Sequence, residues 1–135
     1  MSNVNIKGRI ISRGVGRGKV LLSKDAISFL GGVDPKTGMV VEKGHSLEGR
    51  CISGTILVFP RGKGSTVGSY VMLQLKKNKK APAAIINAEA EPIIAVGAII
   101  SKIPMLDKLE KDPYSILKDG QMATVDADKG ELVLP

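Results

Sequence analysis

Aromatic residues, cysteine and histidine are scarce in this sequence. Its 135 residues include two phenylalanines, two tyrosines and no tryptophan, so aromatic residues make up only 3%. A folded core must therefore be aliphatic, and a hydrophobic content of 43% is enough to build one. The longest apolar run, Ile93 to Ile100, is much shorter than the roughly 18 residues of a membrane-spanning helix. These features exclude a disordered chain and a transmembrane helix, and we expect residues 1–135 to form a single domain.

The single cysteine and the single histidine limit the chemistry of the chain. Cys51 cannot form an internal disulfide, and no secretory signal is visible at the N-terminus, so we expect a cytoplasmic protein. His45 is the only histidine, and nothing in the sequence places it beside a nucleophile. A Ser-His-Asp triad within this chain is therefore not expected.

Acidic residues are fewer than basic ones: the sequence has 13 aspartates and glutamates and 20 lysines and arginines, so its net charge is +7. Such a balance suits nucleic acid, a small anion or an acidic partner. The sharpest cluster, Lys76 to Lys80, lies at the end of a predicted helix, where cations favour the negative end of the helix dipole. No aromatic pair accompanies a basic stretch, as base-stacking RNA binders require. We expect neither nucleic acid nor membrane as a partner.

The apolar pattern predicts a mixed α/β fold with a β-rich body. Short runs of β-forming residues are bounded by glycine, proline and polar residues. A glycine-rich turn is expected at 13–18. Strands are predicted at 6–11, 19–22, 39–41, 50–59, 83–86, 102–105, 121–126 and 131–134, the last two as a hairpin. Ser53-Gly54 is predicted to form a turn or bulge within 50–59.

One main helix is predicted after residue 65, and minor helices accompany it. Val67, Val71 and Leu75 are spaced by four, and Ser65-Thr66 can cap the helix that they define. The apolar segment 91–100 is ambiguous and is interpreted as a short helix.

The segment Pro60-Arg61-Gly62-Lys63-Gly64-Ser65-Thr66 is the candidate functional loop. It follows a strand and opens a helix, so free backbone N–H groups at the helix start can bind an anion. Glycines let the backbone approach a ligand, and the two cations suit a carboxylate or phosphate. The spacing matches neither a P-loop nor a dinucleotide fingerprint. On this chemistry alone, Ser65 is either a helix cap or a base whose alkoxide is stabilised by its surroundings.

Four consecutive segments carry a resemblance to a known family. They are Phe29 to Gly38, Gly44 to Gly49, Gly54 to Pro60 and Arg61 to Ser69. Together they resemble the small, swivel-domain subunit of the aconitase X family over essentially the whole chain. The resemblance implies the swivelling β/β/α domain of aconitase type, with a large aconitase X-type subunit as partner.

The resemblance also implies a function and a division of labour between two chains. The complex would be a hydro-lyase of the archaeal mevalonate pathway that converts (R)-5-phosphomevalonate to trans-anhydromevalonate 5-phosphate. The large subunit would hold a [4Fe–4S] cluster, and this chain would hold no metal, since one cysteine cannot supply three thiolates. Ser65 would be the catalytic base. The aconitase pattern has arginine two residues after its serine, where this chain has Val67.

Further site residues are assigned from the loop chemistry and from the family pattern. Residues expected to bind the anionic substrate are Arg61, Gly62, Lys63, Gly64 and Thr66. Residues expected to line the cleft or contact the large subunit are Gly31, Gly32, Val33, Asp34 and His45.

Other interpretations stay open at the level of sequence. The C-terminal stretch from Asp119 to Leu134 is similar to phosphohistidine swivel domains, although no histidine matches their carrier residue. A non-catalytic scaffold subunit is a second alternative. A basic nucleic-acid binder is a third, which strong salt-dependent binding to DNA or RNA would favour. Relatives of the same family act on hydroxyproline-type substrates, and a loop with two cations suits any small anion.

Overall fold

The computed structural model describes residues 3–135 and shows a mixed α/β fold, which confirms the predicted class. Its strands are β1 Val4–Lys7, β2 Arg9–Ser12, β3 Val15–Leu22, β4 Ile56–Phe59, β5 Ala84–Asn87, β6 Met105–Asp107, β7 Met122–Asp126 and β8 Glu131–Leu134. Its helical segments are α1 Phe29–Gly32, α2 Gly68–Lys77, α3 Pro92–Ile100 and α4 Pro113–Ile116. No helix within this part of the chain is long and apolar enough to cross a membrane.

The strands form one sheet in the order β1-β8-β7-β3-β4-β5-β6-β2. The four strands β3, β4, β5 and β6 run parallel, and α2 and α3 are the crossovers that join β4 to β5 and β5 to β6. The remaining pairs are antiparallel. The sheet thus has an antiparallel half and a parallel half. The long strand β3 joins them, because it pairs with antiparallel β7 along its first residues and with parallel β4 along its last.

Alternating side chains of the parallel strands build two mainly aliphatic cores, and the one beneath the helices also contains Phe29 and Phe59. In β4, Leu57 and Phe59 face the helices α2 and α3, whereas Ile56 and Val58 face the antiparallel half of the sheet. Neighbouring residues of a strand point to opposite faces, so one strand contributes to both cores. The result is a three-layered arrangement, with antiparallel strands, parallel strands and helices stacked in that order.

The predicted turn at 13–18 is wrong, because most of this segment lies in β3. Its glycines are explained by close contact between neighbouring backbones. A Cβ at Gly16 would collide with the carbonyl oxygen of Ala83, and one at Gly18 would collide with that of Gly54. Glycine therefore permits tight strand packing at this point and does not mark a reversal of the chain.

The predicted strand at 6–11 is divided at Gly8. β1 pairs with β8 at one edge of the sheet and β2 pairs with β6 at the other, so the chain must cross between them. The predicted C-terminal hairpin is confirmed as β7 and β8, whose connecting turn ends at Gly130 with φ of +78°. The helix expected at 91–100 is α3.

Candidate functional site

The loop that joins β4 to α2 lies where the parallel strands end. In an open α/β sheet, ligands bind outside the carboxyl ends of such strands. The loop is held on both sides by backbone hydrogen bonds. Ile27 donates to Arg61 O at 3.2 Å and accepts from Lys63 N at 3.0 Å, and Ala88 donates to Pro60 O at 3.0 Å. The segments that follow β3 and β5 therefore fix the start of the loop.

Ser65 lies exposed in the turn that leads into α2. Its Oγ accepts a hydrogen bond from Val67 N at 3.1 Å, and its carbonyl accepts from Gly68 N at 3.0 Å. The helix begins at Gly68 and its N-cap is Val67, so the prediction that Ser65-Thr66 caps it is wrong. Ser65 instead opens a turn before the helix. One N–H donor is thus already directed at the serine oxygen.

Three consecutive backbone N–H groups are free around this serine. Within residues 3–135, the N–H groups of Gly64, Ser65 and Thr66 meet no hydrogen-bond acceptor. Gly64 has φ of +91°, a conformation that glycine adopts without strain. Unpaired successive N–H groups at a helix entry form a concave donor surface for an anion.

The two cations of the loop differ in their surroundings. The Lys63 ammonium forms an ion pair with Glu42, with Nζ 3.1 Å from Oε2. Arg61 is exposed, and its guanidinium contacts no carboxylate in the described part of the chain. Arg61 is therefore the cation that can meet an incoming anion without first leaving a partner.

Gly62 is buried and is explained by packing against α3. A Cβ at this position would collide with Ile94 and would lie 2.7 Å from Glu91 Oε1. That carboxylate caps α3 by accepting from Ile94 N at 2.6 Å and from Ile93 N at 3.1 Å. The assignment of Gly62 to substrate binding stays a prediction, and its visible role is to place the loop on the helix.

The predicted cleft segment Gly31 to Asp34 shows one indirect link to the loop, which runs from Gly32 through Glu42 to Lys63. Gly32 lies against Glu42, since its Cβ would be 3.3 Å from Oε1, and Glu42 in turn bonds Lys63. Gly31 is exposed with φ of +80°. Val33 is a core residue, and Asp34 closes a turn by accepting from Lys36 N at 2.9 Å.

His45 is buried, and both of its ring nitrogens are hydrogen-bonded to backbone. Nδ1 accepts from Leu47 N at 3.0 Å, so the ring is assigned as the tautomer in which Nε2 donates to Ala26 O at 3.0 Å. The next residue, Ser46, donates its N–H to Asp25, which lowers the pKa of that carboxyl below its ordinary value. His45 thus joins two loops, and its geometry gives no support to a phosphohistidine carrier.

Sequence reasoning missed Asp107, which ends β6 at the same edge of the sheet. Arg9 binds it with two hydrogen bonds of 2.8 and 2.7 Å, and Ala90 N donates at 2.7 Å. Burial of this carboxyl opposes its ionisation, but these hydrogen bonds outweigh burial and lower its pKa below 3.8.

Asn87 ends β5 in the same way and was also missed. Its amide donates to Phe59 O at 3.1 Å, directly before the functional loop. Its Oδ1 is buried and has no partner among residues 3–135. A polar residue that closes an apolar strand was the available signal for both Asn87 and Asp107, because polar groups at the carboxyl end of a parallel strand face the ligand edge.

Metal-binding side chains are not clustered in the part of the chain that the structure describes. No group of three or more His, Cys, Asp or Glu residues there could hold an ion. Cys51 is exposed, and its Sγ lies 3.5 Å from Thr37 O.

The three-layered α/β arrangement, with a loop of free N–H groups at the carboxyl ends of its parallel strands, is the fold expected of an aconitase-type swivelling domain. The chain belongs to the aconitase X swivel domain family, because the sequence model of that family matches residues 5–134. The resemblance and the fold expected from it are thereby confirmed.

Curated relatives and a solved structure agree with this family. The phosphomevalonate dehydratase small subunit of Methanosarcina mazei is 64% identical and covers 99% of this chain and 93% of its own. The phosphomevalonate dehydratase small subunit of Thermococcus kodakarensis is 56% identical, with coverages of 96% and 95%. A crystal structure of Thermococcus kodakaraensis aconitase X in its holo-form has a TM-score of 0.91 and 55% identity, and covers 98% of this chain and 99% of that one.

Proposed function

We propose that this chain is the small subunit of a phosphomevalonate dehydratase. The complex removes water from (R)-5-phosphomevalonate to give trans-anhydromevalonate 5-phosphate in the archaeal mevalonate pathway. The observation that carries the proposal is an exposed serine among three free N–H groups, in a chain 64% identical to a small subunit of that name. The substrate carries carboxylate and phosphate groups, which suit this loop.

Ser65 acts as the base in this reaction. Its Oγ takes a proton from the carbon next to the substrate carboxylate. An ordinary hydroxyl is a weak base, so the alkoxide form needs stabilisation. The Val67 N–H at 3.1 Å supplies one hydrogen bond, and the helix start at Gly68 adds a partial positive charge.

The substrate anion is held by backbone and by one free cation. Gly64 and Thr66 offer N–H groups without acceptors, and Arg61 offers an unpaired guanidinium. Lys63 joins them if its ion pair with Glu42 opens. Arg61 then provides the charge that the wider aconitase pattern places two residues after its serine, where this chain has Val67.

The metal half of the active site belongs to the partner chain. The donor set of this chain does not fit an iron–sulfur cluster, since its single cysteine is exposed and lies near no other thiol. We assign the [4Fe–4S] cluster to the large aconitase X-type subunit, where it would assist departure of the hydroxyl group.

Reconstitution with the large subunit tests the base assignment. Ser65→Ala should form the complex with unchanged affinity but lower kcat by about 10²- to 10⁴-fold, the usual contribution of a general base. The matched control is Ser115→Ala, an exposed serine of α4. Its kcat should equal that of the wild type.

The assay follows water loss from 5-phosphomevalonate under anaerobic conditions. Full kcat in the Ser65→Ala complex would refute the base assignment. Failure of the wild-type chain to bind a large subunit would refute the subunit proposal itself. Turnover of a hydroxyproline-type substrate, but not of 5-phosphomevalonate, would show that the substrate assignment is wrong.

A further inference from the structure

The helix α3 is apolar on all sides, yet one of its faces meets solvent. Every residue from Pro92 to Ile100 is apolar. Ile94, Gly97 and Ala98 pack inward, where Gly97 contacts Met72 of α2 so closely that a Cβ would collide with its sulfur. On the outer side, exposed fractions are 50% for Val96, 55% for Ile99 and 49% for Ile100. A helix without a polar face is normally covered on every side.

The exposed face of α3 borders α2 and reaches the functional loop. A groove of about 220 Å³ separates the two helices. Its lining residues are Thr66, Ser69, Pro92, Ile93 and Val96. We call Ile93, Val96, Ile99 and Ile100 the apolar stripe.

Cations lie at both ends of the apolar stripe. Beyond Ile99, a second groove is lined by Arg13 and Lys102 and by no acidic residue. At the other end lies the functional loop, since Gly62 packs against Ile94 at the start of α3. Its Arg61 has no carboxylate partner in the described chain, whereas Lys63 is paired with Glu42. The surface that fits this pattern has an apolar centre and acidic groups at its two ends.

We propose that the large subunit docks on the apolar stripe; this inference rests on the proposed function. A chain seated over the groove at Thr66 necessarily lies beside Ser65, so one contact both covers the stripe and closes the active site. Closure also excludes water from the serine alkoxide. A second copy of this chain fits less well, because it would bring another cationic loop against Arg61 and would block the substrate's access.

A charge placed in the centre of the stripe tests the proposal. Val96→Glu should weaken binding of the large subunit by at least about 30-fold, because an unpaired carboxylate would be buried at the centre of the interface. Val4→Glu is the matched control, since Val4 is 52% exposed and lies on β1 at the far edge of the sheet. Its Kd should stay within about threefold of the wild-type value.

The measurement is the Kd of the anaerobic complex, which needs no activity assay. Circular dichroism and thermal unfolding of the free variants show that the fold is intact, and Ile99→Gln serves as a second variant if Val96→Glu does not fold. Equal affinities of wild type, Val96→Glu and Ile99→Gln would overturn the docking surface while leaving the proposed function standing. A wild-type chain that fails to bind would overturn both.

Self-association is checked on the free chain by sedimentation. A monomer supports the proposal. A dimer that Val96→Glu dissociates, combined with unchanged binding of the large subunit, would assign the stripe to a second copy and overturn the proposal.

Discussion

At the residue scale, the proposed site consists of Ser65 and the free N–H groups beside it. A hydroxyl that accepts from Val67 N at 3.1 Å has a donor in place for its charged form. Arg61 adds a charge that no described carboxylate neutralises. Single polar side chains elsewhere have structural roles, because each of them joins segments that are far apart in the sequence. Tyr114 and Asp107 are the clearest cases.

The phenol of Tyr114 ties α4 to the end of β3. Its hydroxyl donates to Ser23 O at 2.6 Å, and burial together with the nearby Asp112 carboxylate raises its pKa to about 12. The neutral phenol therefore stabilises the fold fully below pH 10.0, its ordinary pKa, and this contribution is lost as pH rises through about 12. Tyr114→Phe should lower the free energy of unfolding by about 1–2 kcal/mol at neutral pH.

Spectrophotometric titration and urea unfolding check this role of Tyr114. The late phenol ionisation should be absent in Tyr114→Phe and present in Tyr70→Phe, whose side chain is exposed. Tyr70→Phe should also leave stability within about 0.5 kcal/mol of the wild type. Identical titration curves for the two variants would contradict the assignment.

At the scale of elements, glycines let segments approach one another. Gly16 and Gly18 allow β3 to pass close to the backbone at Ala83 and Gly54. Gly62 does the same for the functional loop, which rests on the first turn of α3. The position of the loop thus depends on a helix that lies some thirty residues further along the chain.

Gly62→Ala should lift the loop from α3. The added methyl group would collide with Ile94, and Glu91 limits the space on the other side, so unfolding free energy should fall by about 1–3 kcal/mol through overpacking. Gly44→Ala is the control, because nothing lies within 4 Å of its Cβ and only its φ of +81° adds strain. If urea unfolding shows that Gly44→Ala lowers the free energy of unfolding as much as Gly62→Ala does, or more, collision is not the cause.

At the scale of the whole molecule, the N-terminal strands hold both edges of the sheet. β1 pairs with β8 and β2 pairs with β6, so the chain spans the layers within its first twelve residues. Arg9 and Asp107 form an ion pair at the β2 edge, and the same carboxylate accepts from Ala90 N just before α3. This pair therefore links the global fold to the site.

Asp107→Asn should weaken the fold in a manner that depends on pH. Because the Asp107 pKa is lowered in the folded chain, the stabilisation is present above pH 3.8 and is lost as pH falls through the lowered value. The free energy of unfolding of the variant should be about 2 kcal/mol lower than that of the wild type at neutral pH, which is the contribution of hydrogen bonds to a charged group. At the acid end the two free energies should be equal.

Urea unfolding from neutral pH down to about pH 2 measures this effect, and the two stability curves should converge at the acid end. Asp119→Asn is the control, since its pair with Arg50 is exposed and should contribute less than about 1 kcal/mol. A constant offset between wild type and Asp107→Asn at every pH would contradict the ionic origin of the effect.

Local patterns in the sequence determined the aliphatic composition of the core, the C-terminal hairpin, the main helix and the chemistry of the loop. These features depend on residues close together in the chain, so spacing and residue type suffice to predict them. The same patterns did not distinguish a capping role of Ser65 from a role as catalytic base. The family resemblance favours the catalytic base.

Tertiary structure decided which residues meet. The segment predicted as a glycine turn lies mostly in β3, and both ring nitrogens of His45 form hydrogen bonds with backbone groups. Arg9 and Asp107, which are far apart in the sequence, form an ion pair. The tertiary structure also leaves the apolar stripe uncovered. Each of these outcomes depends on contacts between residues far apart in sequence, and the free energy of such contacts depends on burial and geometry that local spacing does not encode.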